Sequence, residues 1–147
     1  MKSLKENFRK ILSQLFLNFH VFIYRLTGGK VMGAFGANSI LLLNMVGRKT
    51  GKKRTTPLMY FRDGNNYVIS ASAGGADANP AWYYNLKSNP ETTIQVKGDK
   101  IQVIAQEASP DKRKKLWAQL TSTAPQFKQY EKKTKRTIPM FILRPVK

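Results

Sequence analysis

The sequence predicts an α+β fold, mainly β, in which about six antiparallel strands form a small barrel with peripheral helices and an N-terminal amphipathic helix. Three observations favour this class. Short apolar or alternating segments are separated by turn residues such as Asp63-Gly64-Asn65-Asn66. Two alternating segments meet around Gly98-Asp99, which is typical of a hairpin. Apolar residues at helical spacing precede all of these strands, over residues 4–26.

The remaining elements follow in order along the chain. Pro80 suits the first turn of a helix, and Ser109-Pro110-Asp111 is a helix-capping sequence. Strands are predicted at 39–46, 55–61, 67–73 and 138–145, a hairpin at 92–108, and helices at 81–89, 111–122 and 126–133.

The first helix has a broad apolar face, and basic residues lie near its ends. One interpretation is a helix packed on the barrel, and the other is a helix lying on an anionic membrane surface. Glycines interrupt the pattern at Gly28, Gly29, Gly33 and Gly36. We therefore expect an N-terminal helix and Gly-rich connection over residues 1–36 and a barrel domain over residues 37–147.

The charge balance indicates an anionic partner. The chain has 147 residues, with 26 Lys and Arg against 8 Asp and Glu, for a net charge of +18. Such an excess leaves most cations without an internal partner. Nucleic acid, an anionic membrane surface and a polyanionic small molecule are the candidate partners.

Composition also excludes several kinds of site. The chain has no cysteine and a single histidine, His20, so disulfide scaffolds, thiolate metal sites, cysteine nucleophiles, multi-His metal sites and Ser/His/Asp triads are not expected. The longest apolar stretch, residues 11–26, is interrupted by polar residues and is short for a bilayer of about 30 Å. With no signal-peptide pattern, the expected location is the cytoplasm, with peripheral membrane contact on its inner face as an option.

The loop from Gly47 to Arg54 is the most informative segment. Five of its eight residues are cationic, and it lies between two predicted strands. Such a loop can offer backbone N–H groups, the Thr50 hydroxyl and several positive side chains to one anion. It is not a Walker A loop, because the required glycine and lysine spacing is absent. A solvated hairpin loop is the alternative interpretation.

Two further segments carry weaker signals. Residues 70–75 place small side chains at the end of a strand, where a flat ligand could approach the backbone, although a plain strand exit fits equally. Residues 79–86 are rich in aromatic side chains that could line a pocket. Alternatively, Trp82 and Leu86, four residues apart, anchor a helix in the core.

Together these motifs resemble the deazaflavin-dependent nitroreductase family. The resemblance covers roughly residues 38–145. It depends on a series of motifs in order: Gly47-Arg48-Lys49-Thr50-Gly51, Arg54-x-x-Pro57-Leu58, Gly74-Gly75, Asn79-Pro80-x-Trp82-Tyr83-x-Asn85-Leu86-Lys87, Asn89-Pro90 and Arg136-Thr137-Ile138-Pro139. It implies a split β-barrel that binds coenzyme F420, whose deazaflavin ring carries a hydride and whose phosphate and polyglutamate tail are anionic.

The resemblance also implies a set of site residues. Tyr130 would be catalytic, orienting the acceptor or donating a proton to it, and Phe127 would line the site beside it. The phosphate and tail would be held by Arg48, Lys49, Thr50, Arg54, Thr55 and Thr56; the ring would be lined by Pro57, Leu58 and Met59 and met at its edge by Ser70, Ala71, Ser72 and Ala73; and the helix start would contribute Ala81, Trp82, Tyr83, Tyr84 and Asn85. No metal ligand is implied.

This chain departs from the family pattern at four positions, three of which are among the residues just named. Members often carry Tyr in place of Met59, Lys in place of Ala73, and Tyr in place of Ala124 and Phe127, whereas Tyr130 is retained.

The implied function is hydride transfer from reduced F420 to a hydrophobic acceptor, a quinone or a nitroaromatic compound. The alternatives are a non-catalytic F420 carrier, a barrel that binds FMN or haem, which the basic loop disfavours, and a nucleic-acid-binding module. Nucleic acid is not the expected partner, because RNA-binding aromatic and Gly-loop signatures are absent.

Overall fold

The computed structural model describes residues 2–29, 34–35 and 38–146. Within these residues, eight strands form one sheet in which every pairing is antiparallel. The strands are β1 (Ala34–Phe35), β2 (Asn38–Val46), β3 (Lys53–Met59), β4 (Phe61–Asp63), β5 (Asn66–Ser70), β6 (Glu91–Val96), β7 (Asp99–Glu107) and β8 (Met140–Pro145). Their order is β1-β2-β6-β7-β8-β5-β4, and β3 pairs with β2 outside this path. The predicted α+β fold, an antiparallel barrel with peripheral helices, is confirmed, with eight strands among the described residues where about six are expected.

Four helices accompany the sheet. They are α1 (Lys2–Thr27), α2 (Ala81–Ser88), α3 (Pro110–Thr123) and α4 (Gln126–Lys133), and a 3₁₀ turn spans Ala73–Gly75. Ser109 caps α3 as the sequence predicts, because its hydroxyl accepts the backbone N–H of Lys112 at 3.4 Å. The predicted Gly-rich connection through Gly33 and Gly36 lies outside the described residues.

Several predicted strand boundaries differ from the structure. The strand expected at 55–61 divides at Tyr60, because β3 pairs with β2 whereas β4, which follows, pairs with β5. The Tyr60 backbone N–H is the last in this region to bond to β2, at the Ser39 carbonyl, 3.0 Å away. The strand expected at 138–145 begins at Met140. The strand expected at 67–73 ends at Ser70, because the small residues after it turn away into the 3₁₀ segment. The hairpin turn lies at residues 97–98, one residue earlier than expected, with Lys97 in the left-handed region at a φ of 55°.

Two main cores hold the fold together. The first packs α2 on the sheet and contains the aromatic side chains of Trp82, Tyr83 and Phe141. The second lies beneath α3 and α4 and contains Trp117 and Phe127. The first core thus fixes α2 on the sheet, and the second fixes α4, which contacts the 3₁₀ turn after β5.

Helix α1 joins the sheet only through its last turns. Val21 and Tyr24 pack with Ile40 and Leu42 in a small third cluster. The Tyr24 hydroxyl accepts the Lys97 backbone N–H at 2.6 Å and donates to the Ile40 carbonyl at 3.0 Å. Every side chain from residue 3 to residue 16 is exposed. Among the described residues, no helix has the length and apolarity needed to cross a bilayer.

Candidate functional site

A cleft of about 630 Å³ lies between α1 and β3, with the start of α2 at its base. Its walls come from three separate parts of the chain. The lining residues are Gln14, Leu17, Asn18, Val21, Phe22 and Arg25 of α1, Met45 of β2, Lys53, Arg54, Thr55 and Thr56 of β3, and Ala81, Trp82 and Asn85 of α2.

The cleft is positively charged. Arg25, Lys53 and Arg54 line it, and no acidic side chain is among the described residues of its walls. Arg25 donates to the side chains of Asn44 and Thr55, at 3.1 Å each, and the Thr55 hydroxyl donates to Asn44 at 2.8 Å. These bonds hold the Arg25 guanidinium at the cleft wall. Two guanidinium groups and an ammonium around one cavity suit a phosphate or carboxylate ligand.

The cationic loop after β2 is attached to α2. The Arg48 backbone N–H bonds to Asn85 Oδ1 at 3.0 Å, and the Arg48 guanidinium lies 4.9 Å from the centre of the Tyr84 ring. Inside the loop, Thr50 Oγ1 accepts the backbone N–H of Lys52 at 3.3 Å. Lys49 and Thr50 are exposed and do not line the cleft. Three of the predicted phosphate ligands, Arg48, Lys49 and Thr50, are therefore exposed and outside the cleft lining, and the loop reaches the cleft only through Lys53 and Arg54, where β3 begins.

The predicted residues divide into three groups in space. The first group, Arg54, Thr55, Thr56, Ala81, Trp82 and Asn85, lines the cleft. The second group continues along β3, where Leu58 packs against the first core and Met59 against the second. Pro57, the residue before them, is half-buried. The third group, residues 70–73, lies at the end of β5, where Ala71 and Ser72 are buried. Their carbonyl oxygens accept hydrogen bonds from Arg136, and the Ser70 and Ser72 hydroxyls bond to each other at 2.8 Å.

Tyr83 belongs to the core rather than to the cleft. Its ring stacks edge-on against Phe141 at 5.5 Å, and its hydroxyl donates to the Glu107 carboxylate at 3.0 Å. Burial, followed by the hydrogen bond to Glu107, raises the pKa of the Tyr83 hydroxyl above its usual value. Lys87 completes the cluster, 3.6 Å from Glu107. This cluster ties α2 to β7, and so supports the cleft from below.

The predicted catalytic residue lies on α4. The half-buried Tyr130 ring packs edge-on against the buried Phe127 ring at 5.2 Å, and Phe127 packs against Trp117 at 6.3 Å. The α4 backbone at Tyr130 touches the 3₁₀ turn. A Cβ at Gly75, whose φ is 86°, would lie 2.8 Å from the Tyr130 carbonyl oxygen. Gly75 is therefore required for α4 to approach the end of β5 this closely.

Six lining residues from α1 were missed by sequence reasoning. The helical periodicity predicts the helix, but it does not say what the helix faces. The signal in the sequence is Arg25, a cation in the last turn of the amphipathic helix, and the structure bonds it to Asn44 and Thr55. Lys53 was recognised in the cationic run but not assigned to the site. Nowhere in the described part of the chain do three His, Cys, Asp or Glu side chains gather as a metal site would require.

The family model for F420H(2)-dependent quinone reductase matches residues 17–145, which includes every strand of the barrel from β1 to β8 and the cleft-lining end of α1. The chain belongs to this family. An F420H(2)-dependent quinone reductase of Mycobacterium tuberculosis is 39% identical over 131 residues, which are 86% of this chain and 88% of that protein.

Solved structures agree with the assignment. An F420-H2-dependent reductase is 35% identical, with a TM-score of 0.66 over 71% of this chain and 93% of its own. A second structure, described as a domain-swapped dimer, is 30% identical, with a TM-score of 0.69 over 97% of this chain and 98% of its own. The family, the cofactor coenzyme F420 and the class of F420-dependent reductase, all expected from the sequence, are confirmed.

Proposed function

We propose that this protein reduces a quinone with F420H2, and that the cofactor's phosphate and tail lie in the cleft between α1 and β3. The observation that carries the placement is the convergence of Arg25, Lys53 and Arg54 on one cavity beside the α2 N-terminus. The acceptor class is supported by the names of the relatives, such as the quinone reductase that aligns with 86% of this chain.

The proposed roles follow the direction of β3. Arg54 and Thr56 bind the anionic part in the cleft, together with Arg25 of α1. Pro57 and Met59, farther along the same strand, lie beneath the ring, and the backbone of residues 70–73 meets its edge. The α2 helix has eight residues, and its free N–H groups add to the positive potential at the cleft base.

When bound in its reduced form, F420 supplies a hydride to the acceptor. A quinone that accepts a hydride needs one further proton to become a quinol, and Tyr130 is our proposed donor of that proton to the acceptor oxygen. The buried rings of Phe127 and Trp117 support Tyr130 from one side and hold its hydroxyl-bearing ring in place. With Phe127 and Ala124 beside it, Tyr130 faces an apolar surface suited to a hydrophobic ring.

The test separates a reductase from a carrier. Purified protein is loaded with F420H2, mixed with a water-soluble quinone or with a nitroaromatic compound, and followed by the absorbance of oxidised F420. Rapid, repeated oxidation with the quinone supports the proposal. Tight F420 binding with no turnover on either acceptor would indicate a carrier instead, and turnover on the nitroaromatic compound alone would change the acceptor class. FMN serves as the control cofactor.

We further propose that the exposed face of α1 contacts an anionic membrane, where hydrophobic quinones reside. Leu4, Phe8, Ile11 and Phe16 are 72%, 63%, 58% and 62% exposed. Lys5, Arg9 and Lys10 lie on the same segment. An apolar face with adjacent cations matches an interfacial helix, in which each cation near an anionic surface contributes about 1 kcal/mol.

Vesicle sedimentation tests this contact. The full chain should co-sediment with phosphatidylglycerol vesicles at low salt and less with phosphatidylcholine vesicles. The variant F8E/F16E should remain in the supernatant, whereas V146E, which adds a charge at an exposed valine outside α1, should bind as the wild type does. The competing occupant of the face is a second copy of this chain, since one similar solved structure is described as a domain-swapped dimer. A dimer by light scattering that F8E/F16E dissociates, with no sedimentation on either vesicle, would refute the membrane contact.

A further inference from the structure

Arg136 lies between α4 and β8. All three nitrogens of its guanidinium donate hydrogen bonds to one nine-residue segment, residues 71–79. Its Nη2 donates to the carbonyl oxygens of Ala71 and Ser72 at 3.0 Å each. Its Nε donates to the Ala76 carbonyl at 2.8 Å, and its Nη1 donates to Asn79 Oδ1 at 2.7 Å. The guanidinium thus joins the end of β5, the 3₁₀ turn and the residue before Pro80 in one plane.

Few other contacts fix the shape of this segment. Its side chains from residue 71 to residue 76 are Ala, Ser or Gly; of these, Ala71 packs in the first core and Ser72 shares a hydrogen bond of 2.8 Å with Ser70. Its described backbone bonds are Ala71 N–H to the Pro139 carbonyl at 2.9 Å and two short-range bonds of the 3₁₀ turn. A planar group with five donors matches several carbonyl oxygens at once, which a lysine ammonium on a flexible stem does not.

We propose that Arg136 is a positioning residue that sets where the backbone of residues 71–73 meets the edge of the cofactor ring. This inference rests on the proposed placement of the ring. The same segment presses against the α4 backbone at Tyr130, through Gly75. A shift of the segment therefore moves the ring edge relative to Tyr130, and misplacement on the scale of 1 Å costs about a hundredfold in rate.

The experiment uses two ligands and four variants of the full chain. The ligands are F420 and its deazaflavin riboside, which lacks the phosphate and the tail, and binding is followed by ring fluorescence. The variants are R136A, R136K, R54A and R113A. Arg113 is the matched control, because it is also partly buried and donates from Nε to a backbone carbonyl at 2.8 Å, but that carbonyl belongs to Ile138 and not to the 71–79 segment.

We expect R136A to weaken the binding of both ligands by the same factor, about tenfold or more, since four charge-assisted bonds hold the segment. R136K should restore little of this, and kcat should fall in both variants. R54A should weaken F420 binding alone. R113A should leave both ligands bound as in the wild type, even where it lowers the melting temperature.

Several results would overturn the inference. The first is a folded R136A protein that binds both ligands and turns over as the wild type does. The second is an equal loss in R113A, which would assign the effect to general stability. Failure of the wild type to bind F420 would instead refute the proposed function. Should R136A not fold, N79A, which removes one of the four acceptors, must weaken riboside binding several-fold; unchanged binding there would also overturn the inference.

Discussion

Helix α1 and the 71–79 segment form two sides of the proposed site, and they are held in different ways. The α1 side is attached by a small cluster around Tyr24 and by exposed polar contacts of Arg25. The 71–79 side is clamped by Arg136 and lies against α4, whose Phe127 belongs to a large core. The first side places charges, and the second places backbone atoms and the Tyr130 ring.

Because the two sides are held differently, each is suited to control a different property of the protein, either cofactor affinity or the rate of reduction. Exposed cations act over several ångströms, tolerate small movements and are screened by salt. A buried aromatic ring and a clamped backbone act only at contact distance, so they require rigidity. We therefore expect the α1 and β3 side to govern cofactor affinity and the α4 side to govern the rate of reduction.

The largest expected effect concerns Tyr130. Tyr130→Phe should lower kcat with a quinone by about a hundredfold, the scale of a lost proton donor, and leave the F420 dissociation constant nearly unchanged. Stopped-flow oxidation of bound F420H2 gives the rate, and fluorescence titration gives the affinity. Tyr84→Phe, which alters an exposed phenol at the other side, is the control. A wild-type rate in Y130F would mean that another group donates the proton.

Next in size is the effect of Arg54. Arg54→Ala should weaken F420 binding by about tenfold to a hundredfold, as expected for a charge-assisted contact with phosphate, with little change in kcat. Lys49→Ala removes an equal charge from the same loop, but Lys49 does not line the cleft, so its effect should be several times smaller. Equal losses in the two variants, measured by isothermal titration, would mean that net charge and not cleft geometry determines affinity.

Tyr24 tests the attachment of α1. Tyr24→Phe leaves the Lys97 N–H and the buried Ile40 carbonyl without this partner and should lower the free energy of unfolding by about 1–2 kcal/mol. Urea denaturation measures the change. Thr27→Val, which removes a local hydrogen bond to the Ile23 carbonyl in the same helix, should cost less. A stability loss with unchanged F420 affinity would show that α1 does not form a wall of the cofactor cleft.

The pH dependence of stability should change in the same variant. Burial raises the pKa of the Tyr24 hydroxyl above its usual value of about 10. Its contribution is therefore complete below pH 10 and is lost as the pH rises toward the folded-state pKa, because the unfolded chain ionises first. Unfolding free energies should fall less steeply above pH 10 in Y24F than in the wild type, and parallel curves would contradict the assignment.

The smallest effect concerns the polyglutamate tail. F420 with a long tail should bind a few-fold more tightly than F420 with a short tail, because Lys52 and Lys53 extend the cation run beyond one phosphate. The advantage should diminish as salt is added, since the screening length is about 10 Å at 0.1 M. Titrations of both forms of F420 at two salt concentrations measure this difference. Equal affinities at low salt would mean that the tail does not bind to these lysines.

Local patterns predicted most of the fold. The helix at Gln126–Lys133 and the capped helix after Ser109 follow from periodicity and capping, and the hairpin follows from alternation on either side of a turn. The division at Tyr60 has a tertiary cause, because the chain changes there from pairing with β2 to pairing with β5. No local pattern specifies those two partners.

The site was predictable where one segment supplies it and not where distant segments meet. Arg54 and Thr56 follow from the loop and its strand, and both line the cleft. The α1 wall could not be predicted, because an amphipathic pattern specifies an apolar face without naming its neighbour. Tyr83 illustrates the converse: the motif includes it, yet helical geometry turns its ring into the core, against Phe141.

Gly74 and Gly75 look interchangeable in the sequence, but they would respond differently to mutation. Both have positive φ, 64° and 86°, yet a Cβ at Gly74 meets nothing within 4 Å, whereas one at Gly75 meets α4 backbone. Asparagine tolerates the left-handed region and needs only space. A saturation library selected for quinone reduction should thus retain asparagine at position 74 and glycine alone at position 75. Over evolution, the residue at position 74 should therefore vary, whereas the glycine at position 75 should be kept because α4 packs against it.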